Sequence, residues 1–96
     1  MRRAPRTDAN QSDIATVLRQ AGCTVLDLSR VGGGCPDLCV GGIDRRTGDR
    51  RTWLIEIKTA AGNLNPRQQE WHAEWRGQIA VVRTVDEALR VIGAIE

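Results

Sequence analysis

The chain has 96 residues, a formal net charge of +2, and 41% hydrophobic and 27% charged residues. That leaves room for one domain with a modest core, and so small a net charge does not by itself point to a nucleic-acid partner. With no Phe and no Tyr, the core must rest on Val, Leu, Ile and three Trp.

No apolar run approaches the roughly 20 residues of a membrane span, so no membrane partner is expected. The basic start Met1-Arg2-Arg3-Ala4-Pro5-Arg6 lacks the apolar stretch of a secretory signal behind it. Three cysteines cannot close a disulfide framework, which suits a reducing, cytoplasmic setting. The spacing of Cys23, Cys35, Cys39 and His72 matches no zinc pattern of the CxxC type.

Residues 1–7 read as a basic N-terminal arm and 8–96 as a single domain. A helix is predicted from about Ala9 to Ala21, with Ile14, Val17, Leu18 and Ala21 on one face, Asp8 as its cap and Gly22 as its stop. Cys23–Leu28 reads as a buried strand, and Arg30–Pro36 as a loop with three consecutive glycines.

Asp37–Ile43 and Arg50–Ile57 read as a hairpin around the turn Arg45-Arg46-Thr47-Gly48. Asn65-Pro66 opens a second helix running to about Arg76, with Gly77 behind it. Ile79–Arg83 is a short apolar strand, and Thr84-x-x-Glu87 is a capping box for a last helix. The order is α-β-β-β-α-β-α: an antiparallel meander, then a crossover that sets the last two strands parallel.

The chemistry centres on Trp53-Leu54-Ile55-Glu56-Ile57-Lys58. Alternation along a strand puts Leu54, Glu56 and Lys58 on one face and Trp53, Ile55 and Ile57 on the other. A turn at 45–48 pairs residues whose numbers sum to 93, so Asp37 falls opposite Glu56. A bulge at Gly41-Gly42 would shift that register.

Directly opposed side chains have Cβ atoms about 4.5–5.5 Å apart, and two carboxylates that close repel unless a proton or a cation lies between them. Asp37, Glu56 and the backbone carbonyl of Ile57 would form an open half-shell for Mg²⁺ or Mn²⁺, with Lys58 placed to orient or deprotonate an attacking water. Lys and Arg together number 14, and Lys58 is the one lysine. A chain that otherwise uses Arg for permanent charge has kept its amine here.

Gly34-Cys35-Pro36-Asp37, followed by Glu56-Ile57-Lys58, is similar to the Pro-Asp…Glu-x-Lys signature of the restriction-endonuclease-like superfamily. More narrowly, the chain resembles the virus-type replication-repair nuclease (VRR-Nuc) domain. The resemblance is carried by Val31–Asp37, Leu54–Thr59, Leu64–His72 and Val81–Ala88, and covers roughly residues 8–92.

It implies an α/β restriction-endonuclease-like core, a mixed sheet flanked by helices. It also implies DNA phosphodiester hydrolysis with Mg²⁺ or Mn²⁺. Asp37 and Glu56 would be metal ligands, Lys58 the catalytic lysine and Gln68 a glutamine beside the site. Stand-alone members in bacteria and their phages tend to be homodimers that act on branched DNA such as four-way junctions, which suggests a place in DNA repair. Family members often carry a Glu in the first helix; here that place falls on Gln11, whose uncharged amide binds a hard cation more weakly.

Several features keep two readings. Gln68 also completes a capping box with Asn65. Gly33 and Gly34 either approach a phosphate or merely connect, and Arg30, Arg45 and Arg46 either contact DNA phosphates or are solvated charges. Trp71 and Trp75 read as core rather than base-stacking residues, and His72 as a surface or hydrogen-bonded histidine. The rival readings are a DNA-binding or partner-binding accessory domain without catalysis, and a sequence-specific restriction enzyme, for whose recognition element so short a chain has little room.

Overall fold

The structure, a computed structural model, describes residues 6–96, with side chains from Asn10 onward. Helix α1 (Arg6–Gln20) is followed by strands β1 (Thr24–Asp27), β2 (Leu38–Ile43) and β3 (Arg50–Ile57). Helix α2 (Pro66–Glu74), strand β4 (Gln78–Val82) and helix α3 (Val85–Val91) complete the chain. The four strands lie in the order β1-β2-β3-β4, antiparallel across the first two pairings and parallel across the last.

The β2–β3 register runs without a bulge from Leu38↔Ile55 to Ile43↔Arg50, so the two adjacent glycines leave the ladder regular. Asp44 N–H donates to the Asp49 carbonyl at 2.8 Å, which marks 44·49 as a hydrogen-bonded pair. Such pairs alternate along an antiparallel ladder, and 42·51, 40·53 and 38·55 follow.

The core lies on one sheet face. Leu38, Val40, Trp53, Ile55, Ile57 and Val82 pack there against Ile14 and Leu18 of α1, and against Ala88 and Ile92 at α3. The spacing of Ile14 and Leu18 is one helical turn, which is why α1 buries a single stripe. Thr84 caps α3, its side chain accepting from Glu87 N–H.

Four expectations are corrected. Helix α1 begins at Arg6, ahead of Asp8, so Asp8 is not its cap; of the expected basic arm, residues 1–5 lie outside the described residues. Strand β1 is an edge strand, with Leu26 59% exposed, because no element covers that side of the sheet there. Helix α2 ends two residues early, with Trp75 extended (φ −73, ψ 130); its indole lies so close over Gly77 that a Cβ there would sit 2.8 Å from Nε1. Trp71 and Trp75 stack on each other at 5.2 Å, but α2, which carries Trp71, buries none of its residues and Trp75 is exposed, so they are not core.

Candidate metal and catalytic site

The site sits at the open end of the β2–β3 hairpin, on the sheet face opposite the main core. Continuing the register one step past Leu38↔Ile55 sets Asp37 against Glu56 in a non-hydrogen-bonded position, where opposed side chains come closest. One step further, Ile57 would face Pro36 in a hydrogen-bonded pair. Pro36 has no N–H to give. The Ile57 N–H instead donates to Asp37 Oδ2 at 2.7 Å, and the Ile57 carbonyl has no donor from β2. The proline before the aspartate thus leaves one backbone oxygen beside two carboxylates.

Glu56 is 3% exposed. Its Oε2 accepts from Gln68 Nε2 at 3.2 Å and lies 3.7 Å from Lys58 Nζ. Its Oε1 is buried without a hydrogen-bond partner among the described residues. Burial, then the charge and hydrogen bonding of Asp37, push the Glu56 carboxyl up to about 7, and Lys58 opposes that rise. A buried oxygen without a donor, a facing carboxylate and a carbonyl freed by proline form a hard-oxygen donor set suited to a divalent cation. Among the described residues, no group of three or more His, Cys, Asp or Glu side chains is arranged to hold a metal ion. A cation here would therefore rest on Asp37, Glu56 and the Ile57 carbonyl, completed by solvent or substrate oxygens.

Helix α2 brings Gln68 to Glu56 through a complete capping box. Asn65 Oδ1 accepts from Gln68 N–H at 2.9 Å, and Gln68 Oε1 accepts from Asn65 N–H at 3.0 Å. The amide oxygen is held by the cap while the amide nitrogen faces the carboxylate, so the cap and the contact with Glu56 coexist in one side chain. The glycine loop fastens the other side. At Gly34 (φ +89) a Cβ would stand 2.7 Å from the Arg67 carbonyl, so only glycine lets the loop close against the first turn of α2. Gly33 (φ +67) has open space around it.

The remaining expected residues are elsewhere. Gln11 lies beside Asp27, whose carboxyl is held below its usual range by Ser29 first and also by Gln11 and Arg30; by the β1–β2 register, Asp27 shares a sheet face with Leu38 rather than with Asp37. Arg45 donates to the Ala21 carbonyl at 2.7 Å, and Arg46 to the carbonyls of Arg90 and Val91. Both sit at the turn end of the hairpin, where they tie down the C-termini of α1 and α3.

His72, read from the sequence as a surface or hydrogen-bonded histidine, is half-buried, and its Nε2 is buried without a partner among the described residues. The available signal was its spacing of four from Gln68, which places both on one helix face. The three cysteines are free. Burial raises the Cys35 thiol, and the nearby carboxylates of Glu56 and Asp37 raise it further.

Asp37, the Glu56-x-Lys58 strand end and the flanking helix α2 thus meet at one end of a mixed four-stranded sheet. A comparison with solved structures finds this fold elsewhere. A structure described as a VRR_NUC domain superposes with a TM-score of 0.72 at 23% identity, covering 97% of this chain and 100% of that one. The chain has the VRR_NUC fold. No family model matches the sequence, and no curated protein matches it either.

Proposed function

We propose that this chain is a DNA endonuclease that hydrolyses phosphodiester bonds with Mg²⁺ or Mn²⁺, selectively on branched DNA such as four-way junctions. The observation that carries the reading is the opposed Asp37–Glu56 pair, with Glu56 Oε1 buried and unpartnered. The VRR_NUC fold supports it. Asp37, Glu56 and the Ile57 carbonyl would hold the cation, which when bound supplies positive charge against the scissile phosphate. Gln68 fixes the Glu56 carboxylate through Oε2. Lys58, 17% exposed and beside that same oxygen, orients the attacking water and faces the charge that develops on the phosphate oxygens.

Assembly as a homodimer belongs to the same proposal. Leu26 and Ile43 are 59% and 50% exposed and, by register, lie on the sheet face that carries Asp37 and Glu56. A second copy covering them would hold two sites in two-fold relation. A reducing, cytoplasmic setting fits the free thiols.

The test is a cleavage panel of linear, flap, fork and four-way-junction DNA, with Mg²⁺, Mn²⁺ or a chelator. Metal-dependent cutting that favours the junction is expected. Salt-sensitive DNA binding without cutting would make the chain a DNA-binding accessory domain instead. No salt-sensitive binding at all would point to a protein partner.

A further inference from the structure

The segment that leaves β3 at Lys58 and reaches α2 at Asn65 belongs to neither element. Its first residue extends the parallel pairing: Lys58 N–H donates to the Val82 carbonyl at 3.0 Å. The chain then turns, and Gly62 N–H donates to the Thr59 carbonyl at 3.0 Å. The turn lies against the root of the lysine, since a Cβ added at Gly62 would stand 3.0 Å from Thr59 Oγ1 and 3.6 Å from Lys58 Cβ. Where the turn stands therefore bears on how the Lys58 side chain leaves the strand end.

Arg83 fixes that turn from outside: its Nη2 donates to the Gly62 carbonyl at 2.8 Å. Arg83 directly follows β4, and its backbone is held on both sides. Its N–H donates to Glu87 Oε1 at 2.6 Å, and its carbonyl accepts from Asn10 Nδ2 at 3.2 Å. Helices α3 and α1 thus anchor the residue whose side chain holds the turn. Among the described residues the half-buried Arg83 forms no ion pair, so what its guanidinium supplies here is a charge-assisted donor to a peptide oxygen.

We propose that Arg83 is a positioning residue for Lys58: by holding the Gly62 carbonyl it keeps the 59–62 turn against the base of the lysine and limits where Nζ stands beside Glu56. The Nζ–Oε2 separation of 3.7 Å is longer than a direct hydrogen bond, so the ion pair attracts the ammonium without fixing its direction. Confinement at the root of the side chain supplies that direction. The inference rests on the role given to Lys58 above, yet its first test reads the resting protein without DNA or metal, so the two can fail separately.

Lys58 is the one lysine, so growth with ¹³Cε-lysine gives a single lysine side-chain resonance. Arg83→Met keeps an unbranched apolar stem and removes the donors, so that resonance should shift and broaden. Gly62→Ala places a Cβ at the same contact and should also shift it; this variant reads the contact if Arg83→Met does not fold. Arg19→Met removes a guanidinium–carbonyl bond elsewhere, to Val25 at 3.2 Å, and should leave the resonance in place.

In cleavage assays Arg83→Met should lower kcat by about 10- to 100-fold, with DNA affinity in Ca²⁺ unchanged. Arg83→Lys, which keeps the charge and a donor, should restore most of that loss. A Lys58 resonance unmoved by a folded Arg83→Met, or unmoved by Gly62→Ala, or moved as far by Arg19→Met, would overturn the proposal, whether or not the protein cuts DNA. So would a loss of DNA affinity with kcat intact, which would place Arg83 against a phosphate.

Discussion

Among the described residues, two charged side chains are buried: Asp44 at the turn end of the β2–β3 hairpin and Glu56 at its open end. Around Asp44 every oxygen has a partner. Oδ1 accepts from Arg46 N–H at 2.9 Å and Oδ2 from Arg51 Nε at 3.0 Å, while its carbonyl takes Gly48 N–H at 2.7 Å. Around Glu56 one oxygen has no donor, the facing group is another carboxylate, and the nearest cation stands at 3.7 Å. One end of the hairpin is electrostatically complete; the other holds negative charge that its surroundings do not neutralise. Burying a carboxylate is costly in either case, so the incomplete end is where an incoming cation gains most.

The largest effects should come from the incomplete end. Asp37→Ala or Glu56→Ala should bring cleavage below detection. Glu56→Ala should leave the metal-free Tm unchanged or raised, because repulsion is removed along with the ligand; Asp37→Ala also takes the acceptor from the Ile57 N–H and should have the lower Tm of the two. Cleavage retained by either variant would sink the proposed site.

Lys58→Arg sharpens the same end. If the lysine only balances charge, Arg should retain most activity. If it places water, the planar guanidinium should fail nearly as badly as Met, with at least about a 10²-fold loss in each. The second outcome is expected, with DNA affinity in Ca²⁺ nearly retained by Arg.

At the complete end the effect should be on stability alone. Asp44→Ala removes two charge-assisted hydrogen bonds and should lower unfolding free energy by about 2 kcal/mol in urea titrations. Arg51, about one-third exposed, can return to water, so the loss stays below that of a fully buried pair. Single-turnover cleavage at a temperature where the variant is folded should match the parent; a large drop would show that the two ends are not separable.

A further effect is a pH dependence. Folding raises Glu56 from 4.5 to about 7, so between these values the folded chain binds more protons than the unfolded one. Stability then falls as pH rises. The destabilisation is absent below about pH 4.5, grows through the window and is complete above about pH 7. Metal-free Tm should decline across this range, and Glu56→Gln should flatten the decline. A slope unchanged by that substitution would assign it to other groups.

Much of this was readable from the sequence because it rests on local periodicities. Alternation in Trp53–Lys58 and the length of the 45–48 turn set the hairpin register, and with it the Asp37–Glu56 opposition. Asn65 and Gln68 announced their cap by spacing. The arginines of the turn kept two readings because charge alone does not say whether a guanidinium faces a phosphate or a helix C-terminus. Arg45 and Arg46 found the carbonyls of Ala21, Arg90 and Val91 only through the tertiary docking of α1 and α3. The tryptophans of α2 misled: their i,i+4 spacing describes a stripe but not whether a neighbour covers it. His72, read as a surface or hydrogen-bonded histidine, leaves Nε2 buried and unpartnered among the described residues, which no pattern of residue types displays.

Helix α2 buries none of its nine residues, yet it carries Gln68 and His72. Burial of apolar surface is what makes an element expensive to open, so α2 should come away from the sheet far more readily than β2 or β3 and lose amide protection well before the global transition. The Gln68 contact to Glu56 therefore resides on a helix held by little buried apolar surface. Gln68 ties it to Glu56, and Gly34 lies against Arg67. Anything that binds only the closed arrangement, cation or DNA, would pay for holding that helix down and would be seen first as slowed hydrogen exchange across residues 66–74.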